Sequence, residues 1–205
     1  MTAHETLEQA KHYGEFVTGI ARPKARVLDG LIRARKANLH HFADDGETPN
    51  STLPLIHYRT PIRLRSDYDP AAIIERVFGS NKWGYSWRDG VYPFNHFHTR
   101  IHEVLGIARG RVTILFGGAN GKFIDLKAGD VVVIPAGVGH RRRKASTDLL
   151  VVGAYPSFGH YDEPRPADVE IDAARKSIAA VKRPFTDPVY GKKGPLLEAW
   201  RGAHS

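Results

Sequence analysis

The amino-acid sequence predicts an all-β domain, an antiparallel sandwich or barrel, and three observations carry that reading. From Trp83 to Tyr155, short segments rich in β-branched and aromatic residues alternate with Gly-containing turns, as strands joined by tight connections do. The chain has 205 residues, 41% of them apolar, enough for one well-buried domain and short for two. Between Gly90 and Lys144 it also concentrates histidines at spacings that strand geometry can bring together.

Residues 1–38 read as a basic helical arm. Leu7, Ala10, Tyr13, Phe16 and Val17 recur at helical spacing, Arg22-Pro23 interrupts, and a second helix is expected from Lys24 to about Asn38. A turn region at Asp44-Asp45-Gly46 and Thr48-Pro49-Asn50 follows. Leu53 to Leu64 carries Pro54 and Pro61 and is expected to be an edge strand, because proline cannot donate to a ladder. Asp69-Pro70 opens a short helix: Asp69 caps it, Ile73, Ile74, Val77 and Phe78 form the buried stripe, and Gly79 is placed to end it.

Seven strands are then expected: Trp83–Trp87, Val91–His98, Glu103–Ala108, Val112–Phe116, Lys122–Leu126, Asp130–Ile134 and Leu149–Tyr155. Beyond them lie a proline-rich stretch, one helix from about Pro166 to Val181, and a tail that wraps the barrel or a neighbouring subunit. The domain organisation is thus an arm at 1–38, a barrel with its preceding strand and helix at 39–160, and a helix and tail of the same domain at 161–205.

Composition narrows the function classes. No cysteine is present, so thiolate ligands, disulfides and a cysteine nucleophile are excluded. The first twenty residues include Glu5, Glu8 and Glu15 and lack a signal-peptide core, and no apolar run reaches membrane-spanning length. A soluble, cytoplasmic protein is expected. The net charge of +8 suits nucleic acid, an anionic membrane or anionic small substrates, and charge alone does not choose among them; no nucleic-acid-binding signature accompanies it.

The chemistry centres on His96-Phe97-His98. On a strand, successive side chains alternate faces at about 3.3 Å per residue, so these two histidines point the same way. Glu103 can return from a hairpin, and His140 can arrive from a distant strand pair. Three imidazoles and a carboxylate suit zinc, iron, manganese, nickel or copper better than calcium or magnesium. His102, next to Glu103, is expected to point away and to make a hydrogen bond behind the ligands or at the surface. Tyr92 and Phe94 share the His96 face on a regular strand, with plain barrel core the alternative for Phe94. Arg142 shares parity with His140 and could bind a substrate carboxylate or phosphate, the alternative being a basic surface patch with Arg141, Arg143 and Lys144.

Gly90-x5-His96-x-His98-x4-Glu103-x6-Gly110 reproduces the first cupin motif. Gly129-x5-Pro135-x-Gly137-x2-His140 reproduces the second, except that Lys144 stands where asparagine is usual. Two spaced patterns in the right order are a specific signal. The chain resembles the YjlB-type single-domain bacterial cupins over about Leu39 to Trp200, on Leu53-Pro54, Tyr58-Arg59, Trp83-Gly84, Trp87-Arg88-Asp89-Gly90, His102-Glu103-Val104-Leu105-Gly106, Val152-Gly153-Ala154-Tyr155-Pro156 and Asp187-Pro188-Val189-Tyr190-Gly191.

This resemblance implies a double-stranded β-helix, or jelly-roll barrel, with an N-terminal helical extension and a few peripheral helices. It implies one divalent transition-metal ion per chain, held by His96, His98, Glu103 and His140, and a homodimer. The leading expectation is a dioxygenase-like enzyme acting on a small anionic substrate that chelates the metal, with Tyr92 as the candidate acid or base and Phe94 and Arg142 as substrate contacts. The alternatives are a non-catalytic metal-dependent binding protein and a metal-dependent isomerase or decarboxylase. A further carboxylate or histidine in the pocket would favour isomerisation; apolar walls would favour oxygenation.

Overall fold

The computed structural model describes residues 22–201. Its strands are β1 (Ala37–Phe42), β2 (Ser51–Tyr58), β3 (Trp83–Asp89), β4 (Glu103–Arg109), β5 (Arg111–Phe116), β6 (Lys122–Lys127), β7 (Val131–Ile134), β8 (His140–Ala145) and β9 (Leu150–Pro156). The helices are α1 (Ala25–Leu28), α2 (Pro70–Ser80), α3 (Ile171–Ala179) and α4 (Pro195–Ala199). One antiparallel sheet runs β1-β2-β7-β4-β9-β3, and a smaller one, β6-β5-β8, faces it. The architecture is the expected all-β jelly roll.

Strand alternation divides the apolar residues between two cores. Leu55, Leu105, Ile107, Val132 and Val151 point between the sheets and meet Val112, Ile114 and Phe116 of β5 with Ile124 and Leu126 of β6. Their neighbours Ile56, Val104, Val131, Val133, Val152 and Ala154 point outward, under Ile73, Ile74, Val77 and Phe78 of α2, with Trp83 and Trp200. Asp69 accepts a hydrogen bond from Ala71 N at 3.1 Å and Pro70 occupies the first turn, which explains where α2 starts. Gly79 lies inside the last turn of α2 and the cap falls on Asn81, two residues later than expected. Truncating a fully buried aromatic such as Phe78 to Ala in this layer costs about 3–5 kcal/mol.

Several expectations are corrected. The arm's first helix lies outside the described residues, and the second is cut short: α1 covers one turn, Leu28 and Leu31 join the core, and β1 begins at Ala37, so the boundary expected near residue 38 falls inside a strand. Arginines and lysines between Arg33 and Lys36 supplied helix propensity, but pairing of β1 with β2 outweighs it. β2 is interior, not an edge strand. Pro54 is tolerated because it lies opposite the β1 bulge between His40 and Phe42, and β7 pairing starts only at Ile56.

Residues 91–98 form a loop across the barrel mouth in place of a strand. It touches β8 at a His96–His140 bridge and where Arg142 N donates to Tyr92 O at 2.8 Å. Finally, β8 was not foreseen as a strand, because His-Arg-Arg-Arg-Lys-Ala has no β-branched residue; its pairing with β5 makes it one. The expected Pro166–Val181 helix resolves into a 3-10 turn at Pro166–Asp168 and α3. No helix among the described residues is long and apolar enough to cross a membrane.

Candidate metal centre

The four expected ligands come from three places: Glu103 opens β4, His140 opens β8, and His96 and His98 lie on the loop across the mouth. All are buried, each at most 5% exposed. Donor atoms of His98, Glu103 and His140 lie within 4.8 Å of one another, a spacing one ion can bridge. Glu103 Oε2 is 3.3 Å from His98 Nε2 and 3.4 Å from His140 Nε2. His96 stands beside this trio, its ring 4.1 Å from that of His140 between centroids.

The backbone fixes which nitrogen each imidazole offers. His96 Nδ1 faces Phe94 O at 3.3 Å, His140 Nδ1 faces Val138 O at 3.2 Å, and His98 Nδ1 bonds the main-chain carbonyl of Asp162. A carbonyl oxygen only accepts, so each Nδ1 carries the proton and each Nε2 keeps a free lone pair. The Nε2 atoms of His98 and His140 and the Glu103 carboxylate fit a divalent transition ion, with His96 Nε2 a candidate fourth donor beside them and main-chain carbonyls orienting the rings from behind.

The electrostatics differ from one histidine to the next. Burial, and then His140, push the His96 imidazole down to about 3, so it is neutral. Burial opposes a charge on His98 as well, but the Glu103 carboxylate outweighs it and raises that histidine. Burial would also raise Glu103; His98 and His140 overcome it and hold the carboxyl well below the usual carboxylate range.

A cavity of about 540 Å³ opens above the four residues. Tyr92 and Arg142 are among its lining residues. Arg142 is half-buried and forms no ion pair among the described residues, whereas Arg88, also on the wall, bonds Glu75 at 2.8 and 2.9 Å and Asp69 at 2.7 Å. Phe94 is not on the wall. It stacks behind Tyr92 with centroids 4.8 Å apart, and the Arg165 guanidinium lies 4.0 Å over its ring, because the loop is not the regular strand that parity assumed. His102 does turn away from the ligands, but to neither a surface nor a ligand-backing bond. It is 2% exposed, packs on Trp200 at 4.7 Å and accepts from Ala136 N at 2.9 Å. Burial lowers it to about 3.

Among the wall residues that escaped the sequence reading are Trp87, Arg88, Asp89, Tyr155, Tyr161 and Glu163. Tyr155 was within reach, since it shares strand parity with Val151, which faces the inner core. Tyr161 and Glu163 sit in irregular proline-rich chain after β9, where no period marks a face. That segment is laced to the loop: the Asp162 carboxylate accepts from Thr99 N at 3.0 and 3.1 Å, Thr99 Oγ1 at 2.5 Å and Arg100 N at 3.2 Å, and Phe97 N donates to Pro164 O at 3.1 Å. Burial raises both the Tyr155 and Tyr161 hydroxyls, so both are protonated.

No family model matches the chain. A protein of Bacillus subtilis (strain 168), described as "Uncharacterized protein YjlB", is 39% identical over 167 residues, covering 81% of this chain and 98% of that protein. Among solved structures, a DMSP lyase is 22% identical over 39% of this chain and 40% of its own, with a TM-score of 0.31. The TDP-quinovose 3,4-ketoisomerase WlaRB of Campylobacter jejuni is 18% identical over 44% and 73%, at 0.35. A mutant of the oxalate decarboxylase OxdC of Bacillus subtilis is 13% identical over 66% and 29%, at 0.32. Likenesses this partial carry nothing about activity.

Proposed function

Because the chain belongs to the YjlB family of cupins, we propose that it is a metal-dependent enzyme acting on a small anionic substrate that chelates one divalent transition ion. The observation that carries this reading is the convergence of His98 and His140 on the Glu103 carboxylate, with His96 beside them and each histidine's Nδ1 facing a carbonyl, beneath a cavity holding an unpaired arginine. When bound, the ion polarises the oxygens of a chelated substrate. Arg142 receives the carboxylate or phosphate with its two-pronged fork. Glu163, hydrogen-bonded to the Tyr161 hydroxyl, is the candidate group for accepting and returning a proton.

On reaction type, dioxygenation rests on the His-rich ligand set alone. A carboxylate and two tyrosine hydroxyls on the wall favour proton transfer on the chelated substrate, the chemistry of an isomerase or decarboxylase. Tyr92, which has no carboxylate partner among the described residues as Tyr161 has in Glu163, is the less favoured acid or base. The same reading places a homodimer in the cytoplasm, which sedimentation and fractionation test.

The deciding experiment is metal analysis of protein purified without added metal, then O₂ uptake and product analysis across small keto acids, hydroxy acids, enediols, catechols and sugars. Stoichiometric metal with product formed and no O₂ consumed supports the proton-transfer reading. O₂ consumption restores dioxygenation, tight binding without turnover makes the protein a binder, and absence of metal from a folded sample overturns the proposal.

A further inference from the structure

A second groove, of about 630 Å³, lies at the end of the barrel away from the candidate ligands. β8 links the two ends: it opens on His140 and reaches the groove at Lys144, about 13 Å further on at strand spacing. Val112 and Leu126 turn into the core, so their neighbours on β5 and β6 turn outward, with Arg111 directly opposite Lys127 and Thr113 opposite Asp125. On the other flank of β5, Lys144 lies opposite Thr113. It is the lysine that stands where the second motif usually has asparagine. Arg59, which follows β2, completes the groove from the larger sheet.

Four cations against two carboxylates leave this groove positive. Among the described residues, none of Arg59, Arg111, Lys127 and Lys144 forms an ion pair. The carboxylates already accept from other donors: Asp130 from Thr60 N at 2.8 Å and Lys127 N at 3.1 Å, and Asp125 from Thr113 Oγ1. Like charges directly opposite one another destabilise a sheet, and Arg111 and Lys127 are such a pair. An anion seated between them removes that repulsion, and its oxygens can take guanidinium and ammonium hydrogens from several strands at once.

We propose that the groove is a binding site for a small polyphosphate, a molecule carrying at least two linked phosphate groups. The span of the cations sets that class. Lys127, Arg111 and Lys144 sit on three adjacent strands, which stand about 4.8 Å apart, so they are spread across roughly 10 Å. A single phosphate is narrower than that and has to draw the cations together against their repulsion, whereas a diphosphate bridges them. A carboxylate brings one charge and leaves most of the repulsion in place.

The test is calorimetry on the full-length protein at low ionic strength, where exposed charges are least screened, with inorganic pyrophosphate as the probe. Pyrophosphate binds at least tenfold more tightly than orthophosphate, and acetate binds more weakly still. Arg111→Ala and Lys127→Ala, both at exposed positions, each weaken pyrophosphate about tenfold, the loss of one charge-assisted hydrogen bond. Lys144→Asn, which restores the motif residue, does the same. Pyrophosphate also raises the melting temperature of the wild type, and raises that of the Arg111→Ala variant less. His140→Ala, which removes a candidate metal ligand, separates the two ends of the barrel: binding that survives in it and falls in Arg111→Ala is binding to the groove. Binding lost in His140→Ala and untouched in Arg111→Ala and Lys127→Ala places the probe at the metal centre and overturns the proposal. No binding at all, or equal affinity for pyrophosphate and orthophosphate, also overturns it. A single-stranded oligothymidylate that displaces pyrophosphate and binds more tightly, with the same losses in the variants, assigns the phosphates to a nucleic-acid backbone and overturns the small-molecule class.

Discussion

His98 donates its Nδ1 hydrogen to the main-chain carbonyl of Asp162, a residue 64 positions later in the chain. The bond joins the floor of the site to the segment that supplies part of its wall. The Asp162 side chain holds the joint through Thr99 N, Thr99 Oγ1 and Arg100 N. Asp162→Ala is therefore expected to lower metal affinity about 10–100-fold, as loss of a ligand-orienting contact does, with the barrel still folded. Competition titration with a chromogenic chelator checks this; wild-type affinity would mean that the carbonyl holds its place without the carboxylate.

The ligands are not equivalent. His140 belongs to the compact trio with His98 and Glu103, whereas His96 stands beside it. His140→Ala is expected to abolish stoichiometric metal, and His96→Ala to leave weaker but measurable binding, both in folded protein. Metal content by mass spectrometry of dialysed variants decides; loss of metal to the same degree in both would make His96 a full member of the set.

Gly153→Ala puts a methyl where the Trp87 indole lies, 2.1 Å from its Cε2. Overpacking of this kind costs about 1–3 kcal/mol, and here it also breaks the Trp87–Tyr155 hydrogen bond at 2.9 Å. A lower urea midpoint and a changed near-ultraviolet tryptophan signal are expected. An unchanged spectrum would show that Trp87 does not rest on Gly153.

Asp130 predicts an acid limb of stability. Burial alone would raise its carboxyl, but the His57 imidazole, Lys127 N at 3.1 Å and Thr60 N at 2.8 Å outweigh burial and hold it below the ordinary value. A depressed folded value means that the unfolded chain binds the proton more readily. The contribution is therefore present above the ordinary carboxylate range and is lost as pH falls through the folded value. Asp130→Asn is expected to be less stable at neutral pH and to lose less on acidification below about pH 4. Urea midpoints at both ends of that range measure it; parallel curves would remove Asp130 from the acid transition.

By itself, the sequence determined the class of fold and pointed to a candidate ligand set. Alternation and turn residues mark strands such as β4, β5 and β7 because a half-buried strand must repeat every two residues. The first spaced motif points to His96, His98 and Glu103, whose spacing within a loop and the strand after it is a local property, and the second adds His140 from β8. Tertiary structure alone decided what faces those ligands. β8 became a strand through its pairing with β5, and the mouth loop departed from a strand, taking Phe94 off the wall. Tyr161 and Glu163 reached the cavity through contacts spanning more than sixty residues, which leave no period in the chain. The basic groove at the other end of the barrel belongs to that second class. Arg59, Arg111, Lys127 and Lys144 share it because strand pairing brings them to one end, and no local spacing in the chain records that meeting.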